Sequence, residues 1–170
     1  LLGEFRDRVT EVYRAQASAA EDAAFNALLD IPFTQNGKRQ TGRQHELQRV
    51  GMQKGLFSSP AAALKSTLNR IVTLQNRDAR SDDEDEEIAA LQCFAQTLER
   101  ITPAGFSKYQ RFVQLLRDAD YAWSPSTAND RLVVFSERIE TIHWLSERLQ
   151  SDLKLKPDQI GVLHGGLSDT

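Results

Sequence analysis

Hydrophobic residues recur at helical spacing over most of the first 120 residues. Apolar positions three or four apart predict helices over 4–30, 43–54 and 61–76, one that ends near Arg100, and one that starts near Ser107. The third begins clearly at Ser58-Ser59-Pro60, a hydroxyl cap followed by a proline in the first turn. Its Leu64, Leu68, Ile71 and Leu74 share one side.

Two polar segments interrupt this helical pattern. Residues 34–42 contain two glycines, and residues 77–87 are strongly acidic, so both predict flexible linkers. In the second segment Ser81 and Glu84 have the spacing of a capping box, and acidic residues suit a helix N-terminus. The following helix should bury Ile88, Leu91, Phe94, Ala95 and Leu98.

The pattern changes near the end of the sequence. Residues 132–135 form a short apolar run with two valines, which predicts a buried strand. Residues 139–150 predict an amphipathic helix, and residues 160–163 predict a second strand. Strand, helix and strand in this order predict one βαβ unit with parallel strands and a right-handed crossover.

The motifs in this unit resemble those of a known family. Val-Val-Phe-Ser-Glu-Arg at 133–138 is similar to motif IV of superfamily 2 DEAD/DEAH-type helicases and translocases, and Val-Leu-His-Gly-Gly-Leu-Ser at 162–168 is similar to the strand and glycine turn that follow it. The likeness is to the bacterial Swi/Snf-like branch, where a segment similar to 54–63 precedes motif IV.

This resemblance implies a fold class and a domain division. The fold would be α/β overall but mostly α: a helical inter-lobe region over 1–122, then the start of the second RecA-like domain over 123–170. The parent protein would be an ATP-dependent nucleic-acid translocase that requires ATP and Mg²⁺. Its partners would be its own first motor lobe and a nucleic acid, for which we expect double-stranded DNA.

The sequence itself lacks the residues of a nucleotide site. A P-loop needs G-x-x-x-x-G-K-[ST], and the one Gly-Lys pair, Gly37-Lys38, is followed by Arg39. We therefore expect no cofactor and no ATP hydrolysis in these 170 residues. Because the sequence has no initiating methionine and stops just after the second apolar run, we expect a fragment of a longer protein.

Charge is segregated along the chain. Residues 31–77 hold eight basic residues against Glu46 alone, and residues 78–87 hold seven acidic residues against Arg80 alone. The basic segment predicts phosphate contacts at Lys38, Arg39, Arg43, Arg49 and Lys54. The alternative is that the two blocks solvate each other or form an exposed helix face.

Candidate phosphate contacts also follow the two predicted strands. Strand ends and helix N-termini in parallel sheets present free N–H groups that suit anions. The family resemblance implies such contacts at Ser136, Arg138, His164, Gly165 and Gly166. The alternative is that Ser136 only caps a helix and that the glycines only permit a turn.

The remaining observations concern compartment, partners and the competing function. The single cysteine, Cys93, is predicted to be a core residue, and the absence of a long apolar run predicts a cytoplasmic protein with no membrane contact.

Two parallel strands cannot cover their own faces, so the βαβ unit should pack on its helices or pair with a second copy. The competing function is a non-enzymatic helical protein-protein interaction module.

Overall fold

The computed structural model describes residues 9–118, 123–126 and 131–165 and is mostly helical. Six α-helices are assigned within these residues: α1 Ala19–Leu29, α2 Gly42–Ser58, α3 Pro60–Gln75, α4 Asp82–Glu99, α5 Ser107–Arg117 and α6 Ile139–Asp152. Short 3₁₀ turns lie at Pro103–Gly105 and Pro157–Gln159. No helix in the described ranges is long and apolar enough to cross a membrane.

Serine caps define where three of the helices begin. Ser18 and Ser81 each form a full capping box, with Glu21 and Glu84 respectively, and Ser59 accepts a hydrogen bond from the amide of Ala62. The Ser18 box explains why the predicted helix over 4–30 is wrong for residues 9–18, since α1 starts only at Ala19. Residues 1–8 lie outside the described residues.

The core lies where α3 and α4 pack together with α1 and α2. It is built from large apolar side chains, including Leu28, Phe33, Leu74, Leu91, Phe94 and Leu98. Helices α2 and α3 approach closely at Gly55, where an added Cβ would lie 3.4 Å from the Cα of Ala63. The predicted buried face of α4 is confirmed, whereas Cys93 on α4 is exposed rather than buried. On α3, Ile71 and Leu74 are buried and Leu68 is exposed.

The polar segment 34–42 contains a β-hairpin rather than a flexible linker. Strand β1, Thr34–Gln35, pairs antiparallel with β2, Lys38–Arg39, around an Asn36-Gly37 turn. Both turn residues have positive φ, 52° and 75°, as a type I′ hairpin turn requires. The Asn-Gly dipeptide was the sequence signal for this turn.

The acidic segment is also ordered, so the predicted linker over 77–87 is wrong for residues 82–87. These residues form the first turns of α4, and Glu84 and Glu87 are fully buried. Each is paired with an arginine of α3 or its C-terminal extension: Arg70 contacts Glu87 at 2.8 Å, and Arg77 contacts Glu84. Arg39 and Arg80 pair with further acidic residues of the same segment. Among the described residues the two charge blocks are therefore paired in part, through Arg39, Arg70 and Arg77.

The C-terminal unit, residues 131–165, contains its predicted helix but not its predicted strand pairing. Helix α6 matches the predicted 139–150 closely. In the described part of the chain neither 132–135 nor 160–163 is assigned as a strand, and the parallel pair that we predicted is not shown. A two-stranded parallel pair of four residues each buries little and leaves both edges open, which gives a physical reason for its absence.

Both apolar segments nevertheless lie against α6. Leu132 and Val134 from one segment, and Ile160 and Val162 from the other, line the same cavity of about 150 Å³ beside α6. Val133, Phe135 and Leu163 are 67%, 91% and 87% exposed. Each segment thus places some apolar side chains beside the helix and leaves others exposed.

Glu87 offers a direct test of the buried ion pair. The Glu87→Gln change removes the charge that pairs with Arg70 and places an amide donor against other donors. We expect the free energy of unfolding to fall by about 3–5 kcal/mol, as for other broken buried pairs. Glu86→Gln on the exposed neighbour should cost under about 1 kcal/mol. Urea midpoints at constant m-value measure both, and equal losses would contradict the assignment.

Candidate nucleic-acid interface

Helix α6 begins at the junction between α2 and α3, where four hydroxyl groups meet. The hydroxyl of Thr141, in the first turn of α6, lies 2.7 Å from those of both Ser58 and Ser59. Ser136 lies 3.3 Å from Ser58. This hydroxyl cluster, Ser58, Ser59, Ser136 and Thr141, attaches the C-terminal unit to the helical region.

Arg138 extends this attachment to the middle of α2. Its backbone amide donates to the hydroxyl of Ser136 at 3.2 Å, and its guanidinium donates to the carbonyl of Gly51 at 3.3 Å. Arg138 is itself the N-cap residue of α6 and no side chain caps the helix, so the structure does not show the alternative that Ser136 caps it. The guanidinium keeps further N–H groups, because an arginine carries five donors.

Arg138 borders an open cleft of about 290 Å³ between α2 and α3. Arg70 lies on the same cleft, but Glu87 accepts from it at 2.8 and 3.0 Å and neutralises its charge. Gln48 also lines the cleft, and its buried side-chain oxygen has no hydrogen-bond partner among the described residues. Arg138 is thus the cation of this cleft that has no ion-pair partner among the described residues.

The predicted contacts after the second apolar segment lie on the flank of α6. His164 is half-buried and packs edge-to-face on His143 of α6, with ring centroids 5.4 Å apart. Gly165 is an exposed turn residue, and Gly166 lies outside the described residues. The phosphate roles of His164, Gly165 and Gly166 stay predictions.

The predicted basic contacts divide into paired and unpaired residues. Arg39 forms ion pairs with Asp83 and Glu86, and Arg49 donates to both carboxylate oxygens of Glu46 at 2.5 and 2.6 Å. The others are exposed and have no ion-pair partner within the described ranges: Lys38, Arg43 and Lys54. A phosphate at Arg39 or Arg49 would have to compete with a carboxylate. All five roles remain predictions.

Sequence reasoning missed three members of the hydroxyl cluster. Ser59 was recognised as a helix cap, but nothing local indicates that Ser58 and Ser59 meet Thr141 more than 80 residues later.

In the described residues no group of three or more His, Cys, Asp or Glu side chains is placed to hold a metal ion.

The far end of α6 is fixed by a buried tyrosine. The hydroxyl of Tyr109 on α5 donates to a carboxylate oxygen of Asp152 at 2.6 Å. Trp144 packs edge-to-face on Tyr109 and Phe106, with centroids 5.1 and 5.6 Å apart. Burial, and then the hydrogen bond and negative charge of Asp152, raise the pKa of Tyr109 above its ordinary value of 10.0.

This raised pKa predicts a loss of stability in alkali. From about pH 10 the unfolded chain releases the tyrosine proton while the folded chain retains it, so the free energy of unfolding falls as the pH rises. Tyr109→Phe should cost about 1–2 kcal/mol at neutral pH, and the difference from the wild type should shrink above pH 10. Urea midpoints across this range test it, with exposed Tyr13→Phe as the control. A pH-independent difference for Tyr109→Phe would contradict the assignment.

Comparisons with protein-family models, with curated proteins and with solved structures gave no significant match.

Proposed function

We propose that this chain is part of a Swi/Snf-like superfamily 2 nucleic-acid translocase. It would contribute the helices that precede motif IV together with the opening βαβ elements of the second RecA-like lobe. Its own role would be to brace that lobe and to contact the nucleic-acid backbone. ATP and Mg²⁺ would bind elsewhere in the parent protein.

One observation carries this proposal: two apolar segments lie along the same helix and leave their outer faces uncovered. Both segments line the cavity beside α6, while Val133, Phe135 and Leu163 are exposed. Strands of a parallel sheet that is covered by helices on both faces are apolar on both faces. Apolar side chains both beside α6 and exposed to solvent support this reading, in which a longer sheet would supply the strand pairing that the described residues do not show.

The proposed nucleic-acid contact lies at the start of α6. Arg138 can donate to a phosphate with the N–H groups that Gly51 does not use. The first N–H groups of a helix favour negative charge, and this adds to the attraction. Held by the hydroxyl cluster and by α2, Arg138 offers a phosphate contact without a requirement for base sequence.

A salt series with duplex DNA tests this contact. We expect a fluorescein-labelled duplex of about 20 base pairs to bind with a steep negative salt slope, and Arg138→Ala should flatten that slope by about 0.9 for each phosphate that is no longer neutralised. Affinity at about 100 mM salt should fall about three- to tenfold. Fluorescence anisotropy gives both values.

Two further variants, one at the N-cap of α6 and one on α6, distinguish the loss of the Arg138 charge from a general effect of substitution in this part of the chain. Arg138→Lys keeps the charge and should retain the slope, whereas Arg148→Ala removes an exposed arginine of α6 and should change little. Absence of duplex binding by the wild-type chain, or equal effects of Arg138→Ala and Arg148→Ala, would overturn the proposal. Circular dichroism confirms that each variant remains folded.

A further inference from the structure

Helix α2 presents an apolar stripe to solvent. Leu47 is 65% exposed, Val50 is 41% exposed and Phe57 is 56% exposed. At 100° per residue these side chains and Lys54 lie within an arc of about 80° and extend about 15 Å along the helix. Spacings of three, seven and ten residues from Leu47 are those of one helix face that contacts another helix.

The stripe is basic as well as apolar. Arg43 and Lys54 are exposed on the same arc and have no ion-pair partner within the described ranges. Arg49 and Glu46, on the same helix, form an ion pair with each other. The uncompensated charge on this face is therefore positive.

The C-terminal end of the stripe opens into a groove. Phe57 stacks on Phe25 of α1, with centroids 6.1 Å apart, and both line a cavity of about 470 Å³ with Leu56 and Phe106. Lys108 lies at this groove and donates to the carbonyl of Phe57 at 3.1 Å. Asp22 on α1 is the exposed carboxylate of the groove.

We infer that this α2 stripe (Arg43, Leu47, Val50, Lys54 and Phe57) docks an amphipathic helix of a partner protein that carries acidic residues beside its apolar face. The apolar residues decide between protein and nucleic acid. Phosphates gain nothing from Leu47 and Val50, whereas a helix would bury both and place carboxylates against Arg43 and Lys54. The inference is independent of Arg138 and of the proposed translocase role.

A designed peptide serves as the probe. It carries leucines at positions i, i+3, i+7 and i+10 with flanking glutamates, and the control peptides replace either the glutamates with lysines or the leucines with serines. Fluorescence anisotropy should show that the acidic peptide binds and that neither control does. Leu47→Ser combined with Val50→Ser should weaken binding at least about tenfold, and Lys54→Glu about three- to tenfold.

Matched variants identify the surface. Val72→Ser, on an exposed apolar residue of α3, should leave peptide binding unchanged, because Val72 lies outside the stripe. Binding of the lysine peptide at equal strength, or equal loss with Val72→Ser, would overturn the inference. Two further outcomes would overturn the inference. One is that the wild-type chain self-associates and that the stripe variants are monomeric. The other is that the wild-type chain binds duplex DNA and that Leu47→Ser and Val50→Ser abolish this binding.

Discussion

The fold depends on two carboxylates buried at the start of α4. Glu87 accepts hydrogen bonds from the guanidinium of Arg70, from the backbone amide of Thr34 at 2.7 Å and from its hydroxyl at 2.5 Å. A buried charge without such partners would cost several kcal/mol, so α3, α4 and the hairpin must assemble together. Ser81 adds a bond to the carbonyl of Gly37 at 2.6 Å and seats the hairpin turn on the same helix start.

This network explains where sequence reasoning succeeded and where it failed. Helix periodicity, the Ser59-Pro60 start and the Ser81–Glu84 capping box are local signals, and all appear as predicted except that periodicity extended the first helix over residues 9–18. The acidic segment was judged by its composition, which indicates solvation. Glu84 and Glu87 are buried because arginines from α3 and beyond its C-terminus reach them, and composition holds no information on such long-range pairs. The same limit applies to Thr141, whose contacts with Ser58 and Ser59 are also long-range, and to Cys93, which is exposed although the local pattern predicted a core residue.

Candidate contacts were harder to predict than elements. The charge of segment 38–54 predicts the same phosphate role for all five basic residues. In the fold, Arg39 and Arg49 form ion pairs with acidic residues of the chain, whereas Lys54 has no ion pair in the described part of the chain. Helical geometry then decides which neighbours such a cation has. Lys54 lies on the same helix face as residues 47, 50 and 57, which are seven, four and three positions away in sequence. A basic segment can therefore hold a protein-docking face that its linear composition does not reveal.

The attachment of the C-terminal unit differs physically from the packing inside the helical region. Helices α3 and α4 join through buried side chains such as Leu74 and Leu91 and through ion pairs, whereas the start of α6 meets the residues before α3 through hydroxyl groups and only Leu149, further along α6, joins the buried core. A neutral hydrogen bond contributes only about 1 kcal/mol net, much less than a buried leucine. The aromatic contacts of Trp144 with α5 hold α6 from the other side. The hydroxyl contacts at Ser58 and Ser59 thus contribute less to the attachment of α6 than the burial of Leu149 and the aromatic contacts of Trp144.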